Sequence, residues 1–247
     1  GYHVAALCSR DRARVEGRRD EFYPQAATYL DYRELLARDD IEVVDVTPHP
    51  EERVPILEAA IDAGKHVLSQ KPFVVDLDVG TALVAQAEAR GVKLAVNQNG
   101  RWAPHFSYMR QAVATGLVGR VQSVQFAVHW DHNWIAGSAF DQVDDLALYD
   151  FGVHWFDMAA ALLGDEKPLR VYASARRGTG QEANPPLLAQ AAIECEQAQA
   201  TIFLNGNTRQ GQADRTYLVG SAGAIGASGV DLTAQEVVLY TAEGIAR

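Results

Sequence analysis

Three residues of this 247-residue chain have types suited to one piece of chemistry: Lys71, Asp150 and His154. Lys71 precedes Pro72 at the end of GKHVLSQKPF, and Asp150 and His154 lie downstream in LYDFGVHWFDM. An ammonium, a carboxylate and an imidazole are what an alcohol-to-ketone oxidoreductase places around a nicotinamide ring. Histidine is suited to take the proton when a secondary alcohol loses hydride, because its ordinary pKa lies near neutrality. A nearby carboxylate orients the imidazole and stabilises its charged form. An ammonium hydrogen-bonds the substrate hydroxyl or the nicotinamide ribose. Alone, Lys-Pro is a surface loop, and an Asp and a His four apart are one turn of a helix. If that helix begins at Asp150, Asp150 and His154 share a face that Asp157 continues.

The first hundred or so residues alternate β-like and helical runs, with strands expected at HVAALCS, IEVVDVT, KHVLSQ and VKLAVNQ. Helices are expected from Asp11, from Asp31, over 51–63 and over 76–90, the last two closed by Gly64 and Gly91. Such alternation predicts an α/β fold with a Rossmann-like parallel sheet covered on both faces. Ligands bind such sheets at the carboxyl ends of the strands. Ser9, Arg10, Thr47, Pro48, Gln70, Lys71, Asn97 and Arg101 lie at or just beyond those ends and form the expected cofactor set. Past Gly100 the texture changes. A helix over 104–116, a long strand in GRVQSVQFAVHWD and a helix around 149–163 precede strand-like runs with few helices between them. This half reads as an α+β domain with a large open, mostly antiparallel sheet. The expected domains are 1–100, dinucleotide-binding and partial, and 101–247, for substrate and oligomerisation.

Acidic residues outnumber basic ones, 32 to 22, which excludes the concentrated basic face of a nucleic-acid binder. No apolar run approaches the roughly 20 residues that span a bilayer. Cys8 and Cys195 have no metal-type spacing, so a reducing, cytoplasmic setting is expected, with an exported form left open by a chain that starts at Gly1. His129, Asp131 and His132 do not form a three-ligand set, since along a strand the first two share a face and His132 takes the other. They are expected as a pocket wall or plain sheet surface, and no metal is expected. Trp102, Trp130, Trp134 and Trp155 offer faces for the C–H surfaces of a sugar or cyclitol, with core packing expected for at least half of them. The run GSAGAIGASG lacks phosphate-loop spacing and reads as a glycine-rich turn between late strands.

Taken together, these motifs resemble the glucose–fructose oxidoreductase/inositol dehydrogenase/rhizopine-catabolism (Gfo/Idh/MocA) family. The family's Glu-Lys-Pro stands here as Gln70-Lys71-Pro72, and its Arg-aromatic-x-Pro as Arg101-Trp102-Ala103-Pro104. GLVGRVQSV matches the start of its second domain, and its Asp-x-Gly-x-His-x-x-Asp helix is present as Asp150, Gly152, His154 and Asp157. Departures are Gln70 for Glu, and Glu51-Glu52-Arg53 where many members have a His. The resemblance implies that Lys71, Asp150 and His154 are catalytic and that Trp134 and Asp157 belong to the substrate pocket. It also implies a cis Lys71-Pro72 bond and a homo-oligomer, dimer or tetramer, joined through the second sheet.

The expected function is NAD(P)-dependent hydride transfer to or from a hydroxyl or carbonyl carbon of a small-molecule sugar, polyol or cyclitol. A non-catalytic NAD(P)-binding sensor on the same scaffold is the alternative. Arg10 after the strand HVAALC favours NADP over NAD, with Asp11 beside it as a helix cap or a ribose ligand. The family's glycine-rich loop and first strand are expected upstream of HVAALC, and a closing helical segment after Arg247. A gap or makeshift pairing between His3–Cys8 and Glu42–Val46 is therefore expected, with little dinucleotide affinity and no activity from these 247 residues alone.

Overall fold

Short acidic side chains at the helix starts fix many element boundaries. In the computed structural model, which describes residues 1–246, Asp11 accepts from the Arg14 N–H at 3.1 Å and opens α1 (Arg12–Phe22). Asp31 opens α2 (Tyr32–Leu36) and Asp76 opens α4 (Leu77–Arg90) in the same way, while α3 (Pro50–Asp62) begins on a proline. Each cap satisfies a backbone donor that the helix itself leaves orphaned. Gly91, at φ 69°, ends α4 in the left-handed conformation that glycine adopts without a steric cost.

The chain forms two compact units, Gly1–Asn97 and the residues from Gln98 onward. In the first, β3 (Val43–Val46), β4 (His66–Gln70) and β5 (Leu94–Asn97) form a parallel three-stranded sheet with β4 in the centre. Leu57, Ala60 and Ile61 of α3 and Leu83 and Ala87 of α4 bury their side chains with Val46 and Val67 of that sheet. β1 (Ala6–Cys8) and β2 (Ala27–Tyr29) form a separate parallel pair. No ladder joins β1 to β3 among the described residues, which is the gap expected between His3–Cys8 and Glu42–Val46. The strand expected over His3–Cys8 begins only at Ala6, and β2 was not anticipated. Three residues are too few to show a period of two.

In the second unit a 3₁₀ turn (Asn99–Trp102) leads into α5 (Pro104–Ala114) and β6 (Val121–His129). A loop region follows, ending in a π-helical turn (Ala147–Phe151) and α6 (Val153–Leu163). Then come β7 (Pro168–Arg176), β8 (Leu188–Cys195), β9 (Gln199–Asn205), β10 (Ala213–Gly220), β11 (Gly223–Gly229), β12 (Gln235–Thr241) and β13 (Gly244–Ala246). With β6 they make one eight-stranded sheet in the order β13-β12-β11-β10-β6-β9-β8-β7, antiparallel except where β6 meets β9. Alternation decides its faces: Val124, Phe126 and Val128 of β6 and Ala200, Ile202 and Leu204 of β9 turn to a core shared with Phe106 and Met109 of α5 and Met158 and Leu162 of α6. The architecture is thus a Rossmann-like parallel α/β unit followed by an α+β unit with a large, mostly antiparallel sheet.

One expectation fails here. GSAGAIGASG is not a turn throughout, because Gly223–Gly229 is a strand paired on both sides, with β10 and β12. Its residues carry no strand signature, and their smallness is the reason they fit. Tyr217 and Tyr240 from the flanking strands lie 6.4 Å apart, and a Cβ on Gly226 would stand 3.4 Å from the Tyr217 ring. No helix among the described residues is long and apolar enough to cross a membrane.

Candidate active site

The strand ends of the first unit gather most of the expected cofactor residues. Register sets Val46 beside Ser69 and Gln70 beside Asn97, so Thr47, Pro48, Gln70, Lys71 and Asn97 end or follow three adjacent parallel strands. Lys71 is half-buried. Its backbone N–H donates to Gln70 Oε1 at 2.9 Å, and the Lys71–Pro72 bond is cis. The Gln70 side chain therefore supplies the turn with the acceptor oxygen a glutamate would also carry, without its charge. Ser9 Oγ accepts from the Asp11 N–H at 3.2 Å, and Asp11 itself caps α1. Arg10 reaches both carboxylate oxygens of Glu52 at 2.9 Å.

Arg53 is the residue that sequence reasoning undervalued. Only 1% exposed, it donates Nε–H to the Pro48 carbonyl at 2.9 Å and Nη2–H to the same oxygen at 2.6 Å. Its Nη1 donates to the carbonyls of Gln70 and Pro72. The signal was present in the sequence: Arg53, Leu57, Ala60 and Ile61 fall at the spacing of one buried helical face, and all four are buried. A charged residue on such a stripe requires partners, since an unpartnered buried charge is costly.

In the second unit, Asp150, Gly152, His154 and Asp157 lie at the start of α6, and Asp150 belongs to the π turn. That is a correction to a helix running regularly from Asp150: the Gly152 N–H reaches back five residues to the Ala147 carbonyl at 2.9 Å. Such wide turns recur at functional sites. Asp150 is buried and His154 half-buried. Gly152 is required by close approach rather than by dihedral angles, since a Cβ there would stand 2.5 Å from the Leu148 carbonyl oxygen and 3.0 Å from that of Ala147. Gly100 packs on His154, with the site of a Cβ 3.7 Å from His154 Nδ1.

One turn further along α6, Asp157 binds Arg101 through two bonds of 2.6 Å, Nε to Oδ2 and Nη2 to Oδ1. This paired, planar geometry is the strong form of the interaction, and it holds the Arg101 guanidinium above its ordinary pKa. Ser107 Oγ and Arg110 both donate to the Arg101 carbonyl, and the Arg110 guanidinium lies 5.7 Å from the Trp102 ring centre. The 3₁₀ turn is thereby fastened to both α5 and α6.

An aromatic wall adjoins the π turn. His132 stacks on Phe151 with ring centres 4.2 Å apart and accepts from Trp134 Nε1 at 3.3 Å. Burial lowers its pKa to about 4, so it is neutral near pH 7. With Trp130, Trp155 and Leu187 it lines a small apolar cavity. Of the four tryptophans, Trp155 is core and Trp130 packs edge-on against it at 5.4 Å, while Trp102 and Trp134 are 75% and 64% exposed. Asp131 is tied to Asn133 and bridges Asn207, and His129 rests against Phe203.

Models of known families match both units. Residues 1–98 fit the oxidoreductase family with an NAD-binding Rossmann fold, and residues 106–226 fit the GFO/IDH/MocA C-terminal domain. The chain belongs to the Gfo/Idh/MocA family. Among its relatives, D-apiose dehydrogenase of Paraburkholderia graminis is 27% identical over 67% of this chain and 44% of its own length. The trans-1,2-dihydrobenzene-1,2-diol dehydrogenase of Bos taurus is 29% identical over 71% of this chain and 52% of its own. The chain thus spans about half the length of the curated Gfo/Idh/MocA relatives it matches. In fold it is similar to an oxidoreductase from Agrobacterium radiobacter solved with NAD+, L-tartaric acid and magnesium. The TM-score is 0.86 at 20% identity, over 98% of this chain and 70% of that one.

Proposed function

We propose that the protein is an NAD(P)-dependent oxidoreductase that interconverts a hydroxyl and a carbonyl carbon of a sugar, polyol or cyclitol. The observation that carries the reading is the start of α6. There a π turn, a glycine that tolerates no side chain and an Arg101-locked Asp157 hold Asp150 and His154 in one fixed segment. A structural helix start has no need of that set. The relatives named as dehydrogenases of D-apiose and of a cyclic diol support the substrate class.

The donor set at the first unit's strand ends suits a dinucleotide: the Thr47 hydroxyl, the Asn97 amide, the Lys71 ammonium and, after β1, Ser9 and Arg10. When bound, the nicotinamide supplies the hydride donor or acceptor, which no side chain provides. His154 exchanges the hydroxyl proton, Asp150 orients the imidazole, and Lys71 holds the reacting oxygen and the ribose. Arg101 serves the cofactor while Asp157 fixes its plane, and Trp134 contributes to the substrate pocket.

Two finer readings belong to the same proposal. Arg10 favours NADP, with the 2′-phosphate replacing Glu52 as the partner of its guanidinium. The outward face of the large sheet joins copies into a homo-oligomer. Tyr172, Ala192, Thr201, Gln125 and Tyr217 follow one another across paired strands on that face, and Tyr172, Phe203 and Tyr217 are exposed there. Both cysteines are free thiols, which suits a reducing compartment. A panel of polyols and sugars with each cofactor, followed by the absorbance of reduced nicotinamide, tests the activity. Cofactor binding with no turnover on any member is the result expected of a sensor instead.

A further inference from the structure

We propose that Arg53 is a positioning residue for Lys71, acting through the backbone on either side of it. The inference rests on the catalytic reading of Lys71 for its kinetic part and on geometry alone for its structural part. The guanidinium has five N–H donors in a rigid plane. In this fold those donors converge on three carbonyls: Pro48 after β3, Gln70 immediately before Lys71, and Pro72 immediately after it. The Lys71 N–H is meanwhile held by Gln70 Oε1 at 2.9 Å. The Gln70–Lys71 peptide unit and the Pro72–Phe73 unit just beyond the cis bond are therefore tied to one buried side chain, and that side chain also holds the Thr47-Pro48 turn on the neighbouring strand. α3 carries Arg53 rigidly, because Leu57 and Ile61 on the same stripe are fully buried.

The ammonium of a lysine lies at the end of a four-carbon stem, so its reach is only as exact as the Cα from which it starts. Each carbonyl tied to a cation is a charge-assisted bond, stronger than the neutral bonds of an ordinary turn. Removing the donors leaves buried acceptors unsatisfied and frees the turn to relax. The loss falls on the placement of Lys71, and the strands themselves keep their ladders.

Arg53→Met, which keeps the volume of the stem and removes every donor, tests this, with Arg53→Lys as the conservative partner. Hydrogen–deuterium exchange is read over residues 66–74, with β5 as the internal reference. We expect exchange at Lys71 to rise roughly tenfold or more in Arg53→Met, as local opening becomes easier. In Arg53→Lys it should rise less, and β5 should be unaffected in both. In turnover of the full-length protein, Arg53→Met should lower kcat roughly 10–100-fold, the scale of a small misplacement. In a Lys71→Ala background the same substitution should cost almost nothing further, because coupled sites are not additive.

Unchanged exchange at Lys71 overturns the proposal. So does an equal kcat loss from Arg53→Met with and without Lys71, or a failure of both Arg53 variants to fold, which would make the guanidinium a general structural support. A rise in exchange alongside a fully active Lys71→Ala variant leaves the positioning of the turn standing and removes the catalytic reading of Lys71 instead.

Discussion

Asp214→Asn should stabilise the protein at neutral pH and do little at acid pH. Asp214 stands in β10 between Val128 of β6 and Gly229 of β11, on the face of the sheet that also turns Thr216 and Leu218 inward. It is 0% exposed, and a hydrogen bond from the Gln235 side chain only partly offsets the cost of burying its carboxylate. Burial raises its pKa from 3.8 to about 6, with the nearby Gln235 side chain opposing the rise and the Asp231 charge adding to it. The folded pKa thus lies above the unfolded one. Well below pH 4 the group is protonated in both states and makes no pH-dependent contribution. As pH rises towards and through 6 the unfolded chain ionises first, so stability is lost and then levels off. A gap of roughly two units, at 1.36 kcal/mol each, puts the loss at about 3 kcal/mol. Asparagine cannot ionise and escapes that loss. Urea unfolding of the two proteins from pH 4.5 to 8 should show a difference that grows in favour of asparagine and flattens above pH 7. A difference independent of pH, or an asparagine variant less stable than wild type at pH 8, would refute the reasoning.

Gly152→Ala should lower stability by roughly 1–3 kcal/mol, the usual cost of overpacking, because the new Cβ meets the backbone oxygens of Leu148 and Ala147. An unchanged thermal midpoint would show that the π turn has room to give. On the cofactor side, NADP should bind at least as tightly as NAD. Glu52→Gln should improve NADP binding relative to NAD, since the phosphate then no longer competes with a carboxylate for Arg10. Isothermal titration of the full-length protein checks both, and NAD bound tenfold more tightly than NADP would remove Arg10 from this role.

The parallel unit was legible because three of its helices start on Asp11, Asp31 and Asp76, α3 and α4 stop at Gly64 and Gly91, and the helices alternate with apolar strands. β2 was not, because Ala27–Tyr29 is too short to show a pattern. β11 was misread because alanine and glycine have little strand preference of their own, and the neighbouring tyrosines supply what they lack. Around the candidate site, residue types and order pointed to Lys71, Asp150 and His154. What held them did not show. The π turn depends on a backbone bond from Gly152 to Ala147, and the pairing of Arg101 with Asp157 joins residues far apart in sequence. Arg53 stood on a readable buried stripe, yet its partners are carbonyl oxygens, which every residue possesses and no motif can mark.

Hydride transfer with His154 exchanging the proton is the proposed reaction. The most direct measurement is turnover of the full-length wild type and its His154→Ala variant on the best substrate of the polyol and sugar panel, alongside cofactor Kd for both. The account expects reduced nicotinamide from wild type, a kcat lower by roughly 10²–10⁴-fold in the variant, and cofactor affinity nearly unchanged. A variant that turns over at the wild-type rate would contradict it, as would a wild-type protein that binds the cofactor and oxidises nothing.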